Sequence, residues 1–259
     1  MKTDLVIGIL VCDWPRQDVV DEIGGYDIAF DRFLHRATDS YNDESKDMDS
    51  VTIKNVIFDC TRGELPADAS QFDAFIMTGS KYSAYDPDEW IKKLIGFVAA
   101  TVQDLPTTKW LGVCFGQQIL AQALGGKVEK NPEGWEAGWA YAAFTEEGSS
   151  ILRTSKPHFA LQYSHQDHVS LLPPGFKILA SNSICPVEAM CKDDKILAVQ
   201  GHPEFTPNVL RCILKYRHSI GIFTDEFYNK SLSTIDKPLD SLWMGRKFIG
   251  FLVGNILEE

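Results

Sequence analysis

The sequence predicts an α/β fold: a mostly parallel central sheet with helices on both faces. Short apolar runs alternate with longer segments of helical period through the first half, the signature of a parallel sheet covered on each side. The first run is continuous in apolar character, as a strand buried on both faces must be. After residue 125 the texture changes to short β-like runs punctuated by Gly and Pro.

The elements follow in order. Leu5 to Val11 reads as the first strand; it is preceded by Asp4, is stopped by Asp13, and lacks the cleavage pattern of a leader. A helical period covers 25–38. Thr38 to Ser50 is polar and rich in Asp, Asn and Ser, and reads as an exposed loop. Strands are expected at 51–58, 73–78 and 109–113, with helices at 88–104 and 115–124. The β-like runs at 127–130, 138–144, 158–163, 176–181, 186–191 and 195–200 suit antiparallel additions and the edge of the main sheet. Pro207 to Ser219 reads as one helix and 224–232 as a shorter one. The segment 238–257 is a closing amphipathic helix, with Leu239, Leu242, Phe248, Leu252 and Ile256 on one side. No repeat and no second unit stands out in the 259 residues, so 1–259 is expected to be a single domain.

Composition narrows the function. A formal charge of −11 would repel nucleic acid and anionic membranes, so neither is expected as a partner. No segment approaches the roughly 18 apolar residues that cross a bilayer. The six cysteines show no Cys-x-x-Cys pair and no small disulfide framework, which points to a reducing cytoplasm.

The chemistry centres on Gly112-Val-Cys114-Phe-Gly116, where an apolar run ends in a cysteine and a helix begins at once. This is a Gly-x-Cys-x-Gly version of the sharp strand-to-helix turn that presents a nucleophile at a sheet edge. The glycines leave room where such a turn crowds the backbone, and the helix N-terminus favours thiolate. A buried core cysteine fits the same pattern, so the assignment needs a base. Downstream, an apolar run ends in Gly201-His202-Pro203-Glu204. His202 could take the thiol proton and return one to a leaving amine, with Glu204 holding the other ring nitrogen. A solvated turn is the plain alternative.

With these residues in hand, the chain resembles the class I glutamine amidotransferases, which carry a Cys-His-Glu triad. Gly-Val-Cys-Phe-Gly-Gln-Gln resembles the nucleophile motif, and Gly-His-Pro-Glu-Phe the segment with His and Glu. Phe75-Ile-Met-Thr-Gly79-Ser80 resembles the oxyanion loop. The resemblance implies a three-layer, flavodoxin-like α/β sandwich. It further implies attack by Cys114 on the γ-carbonyl of a small γ-glutamyl substrate, a γ-glutamyl thioester, and hydrolysis to glutamate. His202 and Glu204 would complete the triad, and no cofactor or metal is called for. The oxyanion would be met by the amides of Phe115 and of Gly79 or Ser80, although an ordinary strand-ending turn would also explain Gly79.

Further site residues follow. Gln118, one helical turn after Cys114, matches the glutamine that lines the substrate pocket in the family; Gln117 reads as a solvent or packing residue. Ser164, His165 and Asp167 match a Ser-His-x-Asp segment beside that pocket. The spacing of His165 and His168 invites a metal reading, but no third ligand lies nearby in sequence and pocket lining is preferred. Asn131 to Glu136 resembles a loop bordering the site, and a turn with solvated acids accounts for it. Where many members have a Gly-Gly-Pro loop, this chain has Thr78-Gly79-Ser80-Lys81-Tyr82, which resembles a stand-alone branch including γ-glutamyl peptidases. Lys81 and Tyr82 would then flank the pocket, Lys81 either binding a substrate carboxylate or remaining a solvated lysine.

Three activities stay open at this stage. They are a self-contained hydrolase of γ-glutamyl amides or peptides, a glutaminase subunit feeding ammonia to a separate synthase partner, and a non-catalytic regulator that binds glutamyl compounds.

Overall fold

The computed structural model describes residues 3–45 and 49–258. Its first half runs β1 (Asp4–Val11), α1 (Gln17–Ile23), α2 (Tyr26–Glu44), β2 (Thr52–Asp59), β3 (Ala74–Met77), α3 (Glu89–Asp104), β4 (Lys109–Val113) and α4 (Phe115–Ala123). There follow β5 (Lys127–Lys130), β6 (Glu136–Phe144), α5 (Glu146–Ile151), β7 (His158–His165), β8 (Asp167–Leu171), β9 (Lys177–Ser181), β10 (Ala189–Lys192) and β11 (Ile196–Val199). The chain closes with α6 (Pro207–Ser219), α7 (Asp225–Leu232) and α8 (Ser241–Val253).

Nine strands form one sheet in the order β2-β1-β3-β4-β11-β10-β9-β6-β7, and β5 pairs with β8 in a separate ribbon. The sheet has two halves. From β2 to β11 every neighbour is parallel; from β11 to β7 every neighbour is antiparallel. Connection length decides which: β10 and β11 are joined by a tight turn through Asp193, at φ 50°, and a tight turn can only return the chain antiparallel.

The alternation of side chains along the strands fixes the layers. Ile7, Ile9 and Val11 of β1, Leu111 and Val113 of β4, and Leu197 and Val199 of β11 share one core with Phe30, Leu34, Phe248 and Ile249 of α2 and α8. Their sequence neighbours Leu10, Trp110, Ile196 and Ala198 face the other side, against Ile91, Leu94 and Val98 of α3 and Ile119 and Leu120 of α4. The expected three-layer α/β sandwich is therefore present, with its parallel half extended by an antiparallel wing.

One expectation is overturned. The segment from Thr38 does not leave the helix as an exposed loop, because α2 continues to Glu44. The reason lies in its stripe: Phe30, Phe33, Leu34, Ala37 and Tyr41 recur at helical spacing, and Tyr41 is fully buried with its hydroxyl donating to the Asn255 carbonyl at 2.8 Å. Asn42 then fastens the helix end to β2 by exchanging two hydrogen bonds with the Val51 backbone. Residues 46–48 of that expected loop lie outside the described residues. The short α1, α5 and β8 have no counterpart in the sequence reading. Among the described residues no helix is long and apolar enough to cross a membrane.

Candidate active site

Cys114 sits at the junction of β4 and α4 with φ 53° and ψ −107°, a conformation that side chains rarely adopt. Such strain costs of the order of 1–3 kcal/mol and persists only where the surroundings enforce it. Here they do. The Cys114 amide donates to the Val199 carbonyl at 2.8 Å, fastening the turn to β11. A β-carbon on Gly116 would lie 2.5 Å from the Met77 carbonyl oxygen, so only glycine lets α4 start this close to β3. Gly112 is equally hemmed in, with the Gln117 amide 2.8 Å from where its β-carbon would be.

β11 neighbours β4 in parallel, so its C-terminal extension brings Gly201 and His202 to the same edge. The His202 amide donates to the Gln162 carbonyl at 2.8 Å, which holds this segment to β7. Its ring stacks on Phe205 with centroids 4.0 Å apart and planes 5° from parallel. His202 Nδ1 lies 2.8 Å from Glu204 Oε1, and both side chains are buried. Burial pulls the imidazole's pKa down, but the negative charges of Glu204 and Cys114 outweigh it and push it up to about 10. Beside Glu204 stands Tyr26, whose phenol burial keeps neutral.

Gly79 closes the other side. A β-carbon there would lie 2.6 Å from His202 Cε1 and 3.6 Å from Cys114 Cβ. The amides of Gly79, Ser80 and Phe115 meet no acceptor among the described residues, so three donors are open around the cysteine.

Two cavities adjoin at this point. The smaller, about 160 Å³, is lined by Cys114, Gln118, Ser80, Lys81, Tyr82, Lys130, Trp135, Ser164, His165, Asp167 and Arg217. The larger, about 300 Å³, is lined by His202, Phe205, Tyr26, Trp14, Val19, Ile213, Tyr216 and Arg217, with Ser80, Lys81 and Ser164 shared between the two. All twelve residues singled out in the sequence except Gly79, Phe115 and Glu204 line one cavity or the other; Gly79 and Glu204 contact His202, and Phe115 follows Cys114 in the chain.

Individual placements differ in character. Gln118 is held by its own bonds, Nε2 donating to the Asp167 carbonyl at 3.0 Å and to Gln200 Oε1 at 3.1 Å. Gln117 is a packing residue, buried and donating to the Val187 carbonyl. Asp167 accepts from the Tyr85 hydroxyl at 3.1 Å. The Lys81 ammonium is exposed and already paired with Asp13 at 2.6 Å, while Tyr82 packs edge-on against Trp90.

Beneath the smaller cavity lies a network that corrects the view of Glu136 as a solvated turn acid. Glu133 is exposed, but Glu136 is buried, with Oε2 3.0 Å from His165 Nε2 and Oε1 accepting from Asn182 at 2.7 Å. The same Asn182 amide donates to Glu188 Oε1 at 2.8 Å. Desolvation and the neighbouring Glu136 charge drive the Glu188 pKa well up, so Glu188 carries the proton of this carboxyl pair; Glu136, despite the burial that raises it, is lowered by His165. The donor atoms of His165, Cys185 and Glu188 lie within 4.8 Å of one another. Both His165 nitrogens are already committed, Nδ1 to the Asp167 carbonyl and Nε2 to Glu136, so the cluster reads as a hydrogen-bonded support.

Arg217 is the main residue that the sequence did not reveal. It stands in the last turn of α6, where a basic residue is ordinary complement to the helix dipole and carries no motif. Only the fold turns it inward, over the Trp135 ring at 4.3 Å and donating to Ser164 Oγ at 2.6 Å.

Comparison with known proteins shows the family. The family model for glutamine amidotransferase class-I matches residues 47–214. A glutamine amidotransferase-like protein of Schizosaccharomyces pombe is 30% identical over 252 residues, covering 96% of this chain and 99% of the relative. Gamma-glutamyl peptidase 4 of Arabidopsis thaliana is 31% identical over 227 residues, 83% of this chain and 81% of that one. A glutamine amidotransferase structure from Thermotoga maritima superposes with a TM-score of 0.69 at 15% identity, covering 96% of this chain and 98% of the other. The chain belongs to the class I glutamine amidotransferase family of enzymes.

Proposed function

We propose that this protein is a cysteine-dependent hydrolase that cleaves γ-glutamyl amide bonds, with a γ-glutamyl peptide as its substrate. The observation that carries the reading is the meeting of a strained Cys114 with a Glu204-bound His202 where two cavities join.

Cys114 is the nucleophile. Its sulfur bonds to the γ-carbonyl carbon, and the developing oxyanion is met by the amides of Phe115 and of Gly79 or Ser80. As the C–N bond breaks, His202 passes the proton from its Nε2 to the departing nitrogen, and Glu204 at Nδ1 stabilises the imidazolium until then. Water, deprotonated by the now neutral His202, attacks the thioester carbon; glutamate leaves and the thiol is restored. Gln118, Ser164, His165, Asp167 and Tyr82 surround the glutamyl chain, and Lys81 stands at the rim. Six free thiols suit a reducing cytoplasm.

The test is a substrate panel with the purified protein alone, comparing glutamine, glutathione and γ-glutamyl dipeptides, with Cys114→Ala alongside. Turnover of peptides by the wild type and its abolition in Cys114→Ala are expected. Full hydrolysis by the alanine variant would overturn the mechanism. Turnover of glutamine only, and only with an added synthase, would replace the peptidase reading with the ammonia-donating one.

A further inference from the structure

Each cavity has cations in its wall, and two of them are already neutralised. In the larger cavity Lys81 is paired with Asp13 at 2.6 Å and Arg16 with Asp18 at 3.1 Å. Arg217 is different. Among the described residues it has no carboxylate partner, and its guanidinium meets only the Ser164 hydroxyl and the faces of Trp135 and Phe223. Burial disfavours its charge, with the nearby Cys114 acting in the other direction. A cation in such a place is normally paired, and its planar fork matches a carboxylate with two parallel hydrogen bonds.

Which carboxylate it meets follows from the division of the site. If the proposed hydrolysis holds, His202 protonates the departing nitrogen, so the departing amine occupies the cavity His202 lines. That cavity, at about 300 Å³, is roughly ten times the ~30 Å³ share of one water molecule, far beyond the needs of ammonia. Part of its wall is apolar, from Trp14, Val19, Phe205 and Ile213. The glutamyl chain then occupies the Cys114 cavity, where Lys130 offers its own ammonium to the glutamyl carboxylate.

We propose that Arg217 binds the carboxylate of the departing amine, and that the substrates are therefore γ-glutamyl derivatives of α-amino acids or peptides with an apolar side chain. Arg217 is a specificity-determining residue: it holds the leaving group's carboxylate while the side chain packs on the apolar wall. The inference rests on the γ-glutamyl hydrolase reading.

The experiment compares γ-glutamyl-phenylalanine with γ-glutamyl-phenylalaninamide, which present the same amine with and without the carboxylate. Wild-type kcat/KM should favour the acid by about 10- to 100-fold, the range of one buried charge-assisted contact. In Arg217→Met that ratio should collapse towards one, and Arg217→Lys should restore part of it. A ratio unchanged by Arg217→Met, or no preference in the wild type, overturns the assignment. Should the methionine variant fail to fold, calorimetric titration of wild-type protein with phenylalanine and phenylalaninamide decides it: tighter binding of the acid supports the role, and equal binding overturns it. Absence of any turnover by the wild type would instead count against the hydrolase reading, while the titration still judges Arg217.

Discussion

Gly79 and His202 touch with no room for a methyl group between them: a β-carbon on the glycine would fall 2.6 Å from Cε1 of the ring. The ring cannot yield backwards, because it is stacked on Phe205 and bonded to Glu204. Gly79→Ala is therefore expected to tilt the imidazole, lowering kcat by at least about tenfold, as a misplaced reacting group does, while stability falls by only about 1–3 kcal/mol. Steady-state kinetics and urea melts on the same variant check this; unchanged kcat would mean that the contact does not position His202.

Strain at Cys114 makes a second prediction. Cys114→Gly and Cys114→Ala both remove the sulfur, but only glycine is at ease at φ 53°. The glycine variant should be the more stable by about 1 kcal/mol, seen as a Tm higher by about 2–4 °C. Equal melting temperatures would show that the turn is not strained.

The pH dependence of stability has a definite sign. His202 is held at a pKa of about 10, above its ordinary 6.5, so the folded state binds the proton more tightly. The resulting stabilisation is complete below pH 6.5 and is lost as the pH rises towards 10. Cys114→Ala removes one cause of the shift, so its stability should fall less steeply over that window. Denaturant midpoints at several pH values for the two proteins measure the difference; parallel curves would contradict the assignment.

Glu188 makes a fourth test. Its carboxyl is protonated beside Glu136, and a glutamine can accept from Asn182 and donate to Glu136 in the same way. Glu188→Gln should fold normally and gain on the wild type as the pH rises above 4.5, since the wild-type group resists ionising. Glu188→Ala leaves a cavity and unmet partners and should cost at least about 2 kcal/mol. Thermal melts across pH settle both.

Much of this was readable from the chain alone, because strand and helix periods are local. Cys114, His202 and Gly79 each stand where an apolar run ends, so their place at one sheet edge could be argued before the structure. Arg217 could not, since nothing in α6 says which way its last turn faces. Thr38 to Glu44 is hard to read for a related reason: its polar residues outnumber its apolar ones, and only Thr38 and Tyr41 continue the buried stripe. The burial of Glu136 is not legible in the sequence, because its partners Asn182 and Glu188 are distant along the chain and meet it only through the antiparallel wing.

That wing has a kinetic consequence. β4 and β11 lie side by side, yet the chain builds β5 to β10 between them. Their pairing closes a long loop, an entropic cost met late unless the intervening strands have already gathered. The catalytic edge should thus be among the last parts to form during refolding. Pulsed alkylation would then find Cys114 open until the slowest phase, after Trp110 has already been shielded in its core; a thiol protected in the earliest phase would show that the two strands meet first.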